Sequence, residues 1–348
     1  MKKNRRKGAL FVIVTMVIML FSQQYVYAKD NYESIMSLTQ EHIQETRNLI
    51  SDVTWTENTK IEDITPTYSI DNEINGYIVL LETNSIDSGY IQFRYISGNL
   101  EVVSYTFSGK HKTSNIDEKI FYLGSLNFAY QIDEDTYGLV GYENEQFSIN
   151  DLEQMTSEPS DRVEETTYSA RSVTLIPNFS SSYMVTMTDF SGYSDHCSPT
   201  SGTNWVKYWG YCRGMSNLVK SNGTTMSDSQ IFTRLYTLMK TNVNKVGTNR
   251  ADKVSGLSSY CSEHSLPLSK AYYTSTALSF SGYKTSINNG NPVLLSLSDE
   301  AGSSYGDHGV MGVGYVGTTA IIMDGWSAAT VYVVYSELGV AGNCEVGF

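Results

Sequence analysis

The chain has 348 residues, a formal net charge of −13, 41% hydrophobic residues and four cysteines. The hydrophobic content is enough for a sizeable core, and the length indicates two domains. The negative charge argues against a nucleic-acid-binding protein, which needs a basic surface. Four cysteines are too few for a small scaffold held together by disulfides.

The N-terminus has the pattern of a secretory signal peptide. Five basic residues among the first seven precede a mostly apolar stretch from Ala9 to Phe21, and Val26-Tyr27-Ala28 is typical of a cleavage site. The apolar stretch is shorter than the ~20 residues of a membrane-spanning helix, and an uncleaved anchor is the alternative interpretation. We predict a signal peptide over residues 1–28 and a secreted, extracellular protein without a membrane association after its removal.

The remaining chain divides at an abrupt change in charge. Residues 29–170 carry a net charge of −18, whereas residues 171–348 are neutral. The polar and acidic stretch that begins at Ser157 has the composition of an exposed linker. We therefore predict an acidic N-terminal domain over residues 29–156, a linker or processing region over 157–174 and a second domain over 175–348.

The N-terminal domain has the pattern of one helix followed by β-strands. Ile35, Ile43 and Leu49 lie at roughly helical spacing. Strand-like segments separated by turn residues follow, and they are Gly76–Leu81, Tyr90–Tyr95, Leu100–Tyr105, Phe121–Leu123 and Tyr137–Val140. This domain contains no cluster of metal ligands, no glycine-rich phosphate loop and no cysteine, so it shows no chemistry of its own.

The first candidate catalytic residue of the second domain is Cys197. Pro199 suits the first turn of a helix, and Trp205, Tyr208 and Cys212 then recur at three- or four-residue steps. Cys197 is therefore predicted at the N-terminus of an amphipathic helix. That position favours the thiolate, which is the nucleophilic form of cysteine.

A cysteine nucleophile needs a base and a group that orients the base. His308 opens a segment in which apolar residues alternate with glycines, and this pattern is typical of a strand that packs closely against another element. Sixteen residues later, Asp324 ends an apolar strand and precedes Gly325 and Trp326. We predict that Asp324 accepts a hydrogen bond from the His308 imidazole and that Trp326 shields it from water.

The other elements of this domain complete the picture of an α+β fold. Helices are predicted after Ser227 and around Val254–Tyr260, a strand or turn over Tyr283–Ile287 and a buried strand over Pro292–Leu297. Helices therefore come first, and an antiparallel sheet that carries His308 and Asp324 follows.

The order Cys197, His308, Asp324 resembles that of the papain-like cysteine peptidases. The segment Cys197-Ser198-Pro199-Thr200 is similar to the nucleophile motif of secreted bacterial peptidases related to the bacteriocin-processing (double-glycine) peptidases. The two-part layout is similar to that of streptopain-type zymogens. The resemblance implies a papain-like catalytic domain, preceded by a strand-rich α+β pro-domain that acts as an intramolecular inhibitor.

The sequence departs from this family at the residues that bind the oxyanion. Papain-like enzymes place a glutamine about six residues before the cysteine, but position 191 is serine here. The backbone N–H of Cys197 can supply one donor, and a second is expected from Ser191, Ser194 or Asp195, among which the sequence does not choose. Ser198 also replaces the glycine that often follows the nucleophile.

Several of these residues have an alternative structural interpretation. Cys197 could be one half of a disulfide in an exported protein, Cys212 fits a buried core position, and Cys261 could pair with Cys344. His308 could be a structural histidine and Asp324 a simple turn residue. The acidic residues of the N-terminal domain could likewise form an ordinary solvated surface, and the domain would then not be an inhibitor.

Taken together, the sequence predicts a secreted cysteine peptidase made as a zymogen, with a protein or peptide substrate and with no cofactor or metal. Cys197 is the predicted nucleophile, His308 the base and Asp324 the residue that orients it. Two alternatives stay open: a cell-wall amidase or endopeptidase with the same Cys–His chemistry, and an exported binding module without catalytic activity.

Overall fold

A computed structural model of the chain describes residues 32–50, 53–124, 127–140, 142–156, 173–243, 247–297 and 308–348. The chain divides into two compact units, one that ends at Ser51 and one from Asp52 to Phe348. In the first unit, helix α1 spans residues 32–49, where a helix was predicted. The predicted signal peptide and most of the predicted linker lie outside the described residues. In the described ranges, no helix is both long and apolar enough to cross a membrane.

Residues 53–156 of the second unit, here called the N-terminal half, form mainly an antiparallel sheet. Four strands make a meander, namely β1 (Thr59–Tyr68), β2 (Ile74–Thr83), β3 (Ile86–Ile96) and β4 (Asn99–Thr106). The β2–β3 turn is tight because Asn84 and Ser85 both adopt positive φ angles, of 53° and 65°. The half continues with β5 (Ile120–Gly124), β6 (Asn127–Gln131), β7 (Tyr137–Leu139), β8 (Tyr142–Phe147) and α2 (Ile149–Met155).

Residues 173–348, the C-terminal half, combine helices with a second group of strands. Its helices are α3 (Cys197–Lys207), extended by a π-helical turn over Tyr208–Cys212, then α4 (Asp228–Leu238), α5 (Arg250–Glu263) and α6 (Phe280–Asn288). Its strands are β9 (Thr174–Leu175), β10 (Lys220–Ser221), β11 (Thr224–Thr225), β12 (Lys270–Thr274), β13 (Val293–Leu297), β14 (His308–Val316), β15 (Thr319–Met323), β16 (Val331–Val334) and β17 (Val340–Gly347). The predicted α+β class is confirmed at this level.

One sheet runs through both halves. Its strand order is β12-β17-β13-β14-β15-β16-β4-β3-β2-β1-β5-β6-β7-β8, and β9 pairs separately with β14. The halves meet where β16 pairs antiparallel with β4, with Tyr332 opposite Tyr105 and Val333 opposite Ser104. The rings of Tyr105 and Tyr332 stack at 4.9 Å across this junction. The sheet therefore places the N-terminal half beside β16, which in turn pairs with β15, the strand that leads to Asp324.

The predicted strand or turn at Tyr283–Ile287 is wrong. These residues belong to α6, because the Ser279 side chain caps the helix by accepting a hydrogen bond from the Gly282 N–H. Tyr283 and Ile287 are four residues apart, lie on one face of the helix and are both buried.

Candidate active site

Cys197 is the first residue of α3, as its sequence context predicts. The whole helix is buried, and 8% of the Cys197 surface is exposed. The residue before it, His196, is the N-cap, and its ring Nδ1 lies 3.1 Å from the Thr200 hydroxyl, which leaves the first N–H groups of the helix without a side-chain cap. The helix dipole favours a negative charge at this position, so the environment suits a thiolate.

None of the other three cysteines, Cys212, Cys261 and Cys344, begins a helix. Burial raises the pKa of the Cys261 thiol to about 12 and also raises the pKa values of Cys212 and Cys344. All four cysteines lie in described ranges and none of them forms a disulfide, so the pairings left open above are absent. The three internal thiols are therefore protonated core residues, and Cys197 is the candidate nucleophile.

A glycine brings the start of β14 against the start of α3. A Cβ atom on Gly309 would stand 3.1 Å from the Ser198 Oγ and 3.4 Å from the Ser198 Cα. Only a residue without a side chain leaves this approach unobstructed. Since Gly309 follows His308 and Ser198 follows Cys197, the contact places the histidine and the cysteine in neighbouring positions on two packed elements.

The His308 imidazole is held on two sides. Its Nε2 lies 2.7 Å from the main-chain oxygen of Asp324, to which it donates a hydrogen bond. The ring also stacks on Trp326, with 3.8 Å between centroids and 15° between planes. With Nε2–H engaged in this way, Nδ1 is the nitrogen that can accept a proton from a thiol. Trp326 lies on the imidazole, as the sequence predicts.

The Asp324 carboxylate makes different contacts from those expected. Its Oδ1 accepts hydrogen bonds from the N–H groups of Trp326 and Ser327, both at 2.9 Å. The carboxylate thus shapes the turn in which Gly325 takes a φ of 84°, and the main-chain oxygen of the same residue faces the imidazole. Burial raises the pKa of Asp324, while the Ser327 N–H and the charge of Lys112 oppose that rise.

Burial and charge both disfavour the protonated form of His308. Desolvation is the largest cause of a pKa that falls to about 3, and the charges of Lys112 and Lys253 lower it further. The hydrogen bond to the Asp324 oxygen acts in the opposite direction. In this arrangement His308 is a neutral imidazole at pH 7.

The three predicted oxyanion candidates precede Cys197 and occupy different environments. Ser191 and Ser194 are exposed, and both the carbonyl and the hydroxyl oxygen of Ser194 accept from the Asn242 side chain, at 3.0 and 3.1 Å. Asp195 has a left-handed backbone, with a φ of 51°, and its buried Oδ1 has no hydrogen-bond partner. None of these contacts selects one of the three, so the second donor stays a prediction.

Two lysines near the site were not found by sequence reasoning. Lys253, on α5, is 1% exposed, and its Nζ would lie 3.3 Å from a Cβ on Gly309. Lys112 comes from the N-terminal half, and its Nζ lies 3.3 Å from the centre of the Trp326 ring. Neither lysine belongs to a motif, and Lys112 is more than eighty positions before Cys197, so the sequence contains no signal that joins them to the site.

The model of the Peptidase_C39 like family matches residues 176–340. Over these residues the C-terminal half, called the C39-like half below, is similar to that family. This relationship confirms the resemblance to papain-like and C39-type cysteine peptidases that the motifs around Cys197 and His308 indicate. A search of curated proteins finds no match to the chain. Within the described residues, the C39-like half and the N-terminal half contain no group of three His, Cys, Asp or Glu side chains that could hold a metal ion.

Proposed function

We propose that the chain is a secreted cysteine peptidase made as a zymogen. The observation that carries the proposal is the packing of two element starts: Cys197 begins α3, His308 begins β14, and Ser198 and Gly309 contact each other between them. This brings a thiol favoured as thiolate next to a histidine that can move its proton, within a half related to C39 peptidases.

In the proposed reaction, Cys197 and His308 hydrolyse a peptide bond in two steps. The Cys197 sulfur attacks the peptide carbonyl carbon, and an S–C bond forms as the carbonyl oxygen becomes an oxyanion near the Cys197 N–H. His308 gives the thiol proton to the departing amine, and the C–N bond breaks to leave an acyl-enzyme. Water, deprotonated by His308, then attacks the acyl carbon, the C–S bond breaks to release the carboxyl product, and His308 returns the proton to the Cys197 sulfur.

Asp324 acts mainly through its main chain in this proposal. Its carbonyl oxygen holds the His308 Nε2–H, while its carboxylate holds the turn that positions that oxygen. The oriented imidazole then presents Nδ1 to Cys197. In this proposal Asp324 orients His308, but through its carbonyl oxygen and not through its carboxylate.

The inhibitory role of the N-terminal domain is supported by how tightly the N-terminal half joins the C39-like half. The β4–β16 pairing is accompanied by an ion pair between Arg94 and Glu337, at 3.1 Å, and Glu337 is 1% exposed at its side chain. Activation would then require cleavage in the predicted processing region, 157–174, followed by separation of the two parts.

Self-processing tests this function directly. Residues 29–348, as wild type and as Cys197→Ala, are incubated at neutral pH with a reductant, and intact masses are followed over time. We expect only the wild type to lose an N-terminal fragment that ends within residues 157–174. Casein and cell-wall material are supplied in parallel reactions.

The other outcomes separate the alternatives. Cleavage of wall material without cleavage of casein would make the chain a wall amidase or endopeptidase. If the wild type with its N-terminal domain removed by an added protease hydrolyses neither substrate, the peptidase proposal is rejected and the binding module is favoured.

A further inference from the structure

The N-terminal half inserts a lysine against the aromatic residue that covers His308. Lys112 follows β4 in the chain, and its Nζ lies 3.3 Å from the centre of the Trp326 ring and 5.0 Å from that of Phe128. A small cavity at the same place is lined from the N-terminal half by Tyr90, His111 and Lys112, and from the C39-like half by Asp324 and Trp326.

Trp326 lies between Lys112 and His308. The His308 ring centre is 3.8 Å from the Trp326 ring centre and nearly parallel to it. The Lys112 ammonium is 3.3 Å from the same point. Two groups so close to one ring centre would overlap if they shared a face, so they occupy opposite faces, and the three side chains form a stack.

Lys112 also acts electrically on the residues around His308. Its charge lowers the pKa values of Asp324 and His308, and in return the Asp324 charge raises that of Lys112. Burial is the larger influence on Lys112 and lowers its pKa to about 7. The lysine is therefore a titrating cation at physiological pH, and it is carried by the part of the chain that processing would remove.

The chemistry proposed for the site requires a positive charge to form on His308, and the positive charge of Lys112 disfavours this. When Cys197 gives its proton to His308, an imidazolium forms, and a cation behind Trp326 opposes it. The charges that lower the pKa of His308 are those of Lys253 on α5 and Lys112 from the N-terminal half, while Asp324 after β15 contacts the ring through its main chain. Cys197 begins the packed helix α3. Of these four, only Lys112 would leave with the N-terminal domain.

We propose that Lys112 is an autoinhibitory residue: placed behind Trp326 by the N-terminal half, it opposes proton transfer from Cys197 to His308 until that half is removed. The inference rests on the proposed function and gives the zymogen a specific means of regulation. It differs from simple blockage, because the cation acts through the Trp326–His308 stack and does not need to fill the substrate cleft.

Thiol alkylation tests the inference without requiring peptide hydrolysis. Iodoacetamide is reacted with residues 29–348 between pH 5 and pH 9, and modification of Cys197 is followed by peptide mass spectrometry. The variant is Lys112→Met, which keeps a long side chain and removes the charge. Below pH 7 we expect Cys197 to react about tenfold faster in the variant, the equivalent of one pKa unit. The difference should shrink above pH 7, where Lys112 in the wild type loses its proton.

Two further variants control for charge and location. Lys110→Met alters a lysine that lines the same cavity, but whose Nζ lies 3.3 Å from Glu62 and 3.5 Å from Asp87, so it should react like the wild type. Lys112→Arg keeps the cation charged at every pH and should extend the suppression above pH 7. Thermal unfolding of each variant verifies its folding, and Lys112→Gln replaces Lys112→Met if the latter does not fold.

Each outcome decides the inference. An unchanged alkylation profile in Lys112→Met, or an equal change in Lys110→Met, would overturn it. An alkylation rate of Cys197 that rises by the same factor at all pH values would also overturn the inference. Looser packing would make Cys197 more accessible to iodoacetamide without changing proton transfer between Cys197 and His308. A shift of the profile would still support the role of Lys112 if the chain, after an added protease has removed its N-terminal domain, hydrolyses neither casein nor wall material; the peptidase function alone would then be rejected.

Discussion

At the scale of residues, the His308 imidazole is held by the main chain of Asp324, while the Asp324 carboxylate bonds the N–H groups of the turn that follows. Cys197, His308 and Asp324 were predicted from their order and neighbours, and the structure places the start of α3 against the start of β14. The hydrogen bond on His308, however, goes to the main-chain oxygen of Asp324. A carboxylate and a carbonyl of the same residue cannot be distinguished by sequence, because the choice depends on how the turn after β15 folds.

Gly309 is a single residue on which the site depends. Its missing Cβ lets β14 lie against Ser198, so Gly309→Val would insert three carbon atoms into a contact that is already close. We expect the free energy of unfolding to fall by about 1–3 kcal/mol. We also expect His308 to lose its influence on how the alkylation rate of Cys197 varies with pH. Gly192→Val is the matched control, because nothing lies within 4 Å of a Cβ there. Equal stability of the two variants, measured by urea unfolding, would contradict the role of this contact.

At the scale of elements, local patterns predicted most helices and strands and missed those whose signals are weak. The α3, α4 and α5 helices have capping residues or regular apolar spacing, and the strands of the N-terminal half have turn residues between them. The α6 helix was missed because Tyr283 and Ile287 are aromatic and β-branched, a composition typical of strands. Burial of this segment against β14 favours the helix over a strand. The Tyr283 hydroxyl donates to the carbonyl oxygens of Gly314 and Ile321.

The junction of β4 with β16 contains an ion pair that can be tested. Arg94→Met removes the cation and leaves the Glu337 carboxylate buried, so we expect a loss of about 3–5 kcal/mol in unfolding free energy. The double variant Arg94→Met with Glu337→Leu should recover much of that loss, because no charge then stays buried. Lys60→Met, which breaks the exposed pair with Glu82, should change stability little. A double variant no more stable than Arg94→Met would show that the pair itself is not responsible.

At the scale of the whole molecule, burial of neutral histidines makes stability depend on pH. Desolvation lowers the pKa of His308 to about 3 and lowers those of His111 and His196 as well. Unfolding returns each to about 6.5, so the unfolded chain binds more protons below that pH. The stability contributed by these neutral histidines is therefore complete above pH 6.5 and is lost as the pH falls from 6.5 towards 3.

We expect the urea midpoint of residues 29–348 to fall between pH 7 and pH 5, by the equivalent of about 2 kcal/mol from His308, with further losses in the same direction from His111 and His196. Asp324, whose pKa burial raises, acts in the opposite sense, but only as the pH rises above the ordinary value of a carboxyl group. His111→Gln should flatten the profile by the share of one histidine, because the ring is buried between Tyr90 and Phe128. A midpoint that does not change between pH 7 and pH 5 would contradict this account.

The sequence by itself determined the α+β class and the relationship to cysteine peptidases. A cysteine before a helix-starting proline, a histidine before alternating glycines and an acid before Gly325-Trp326 are local patterns, and each is set by residues within a few positions. Only the tertiary structure decided that one sheet joins both halves, that a main-chain oxygen holds His308, and that Lys112 and Lys253 face the site. Those outcomes depend on contacts between residues far apart in the chain, whose burial and electrostatic effects arise only when the two halves pack together.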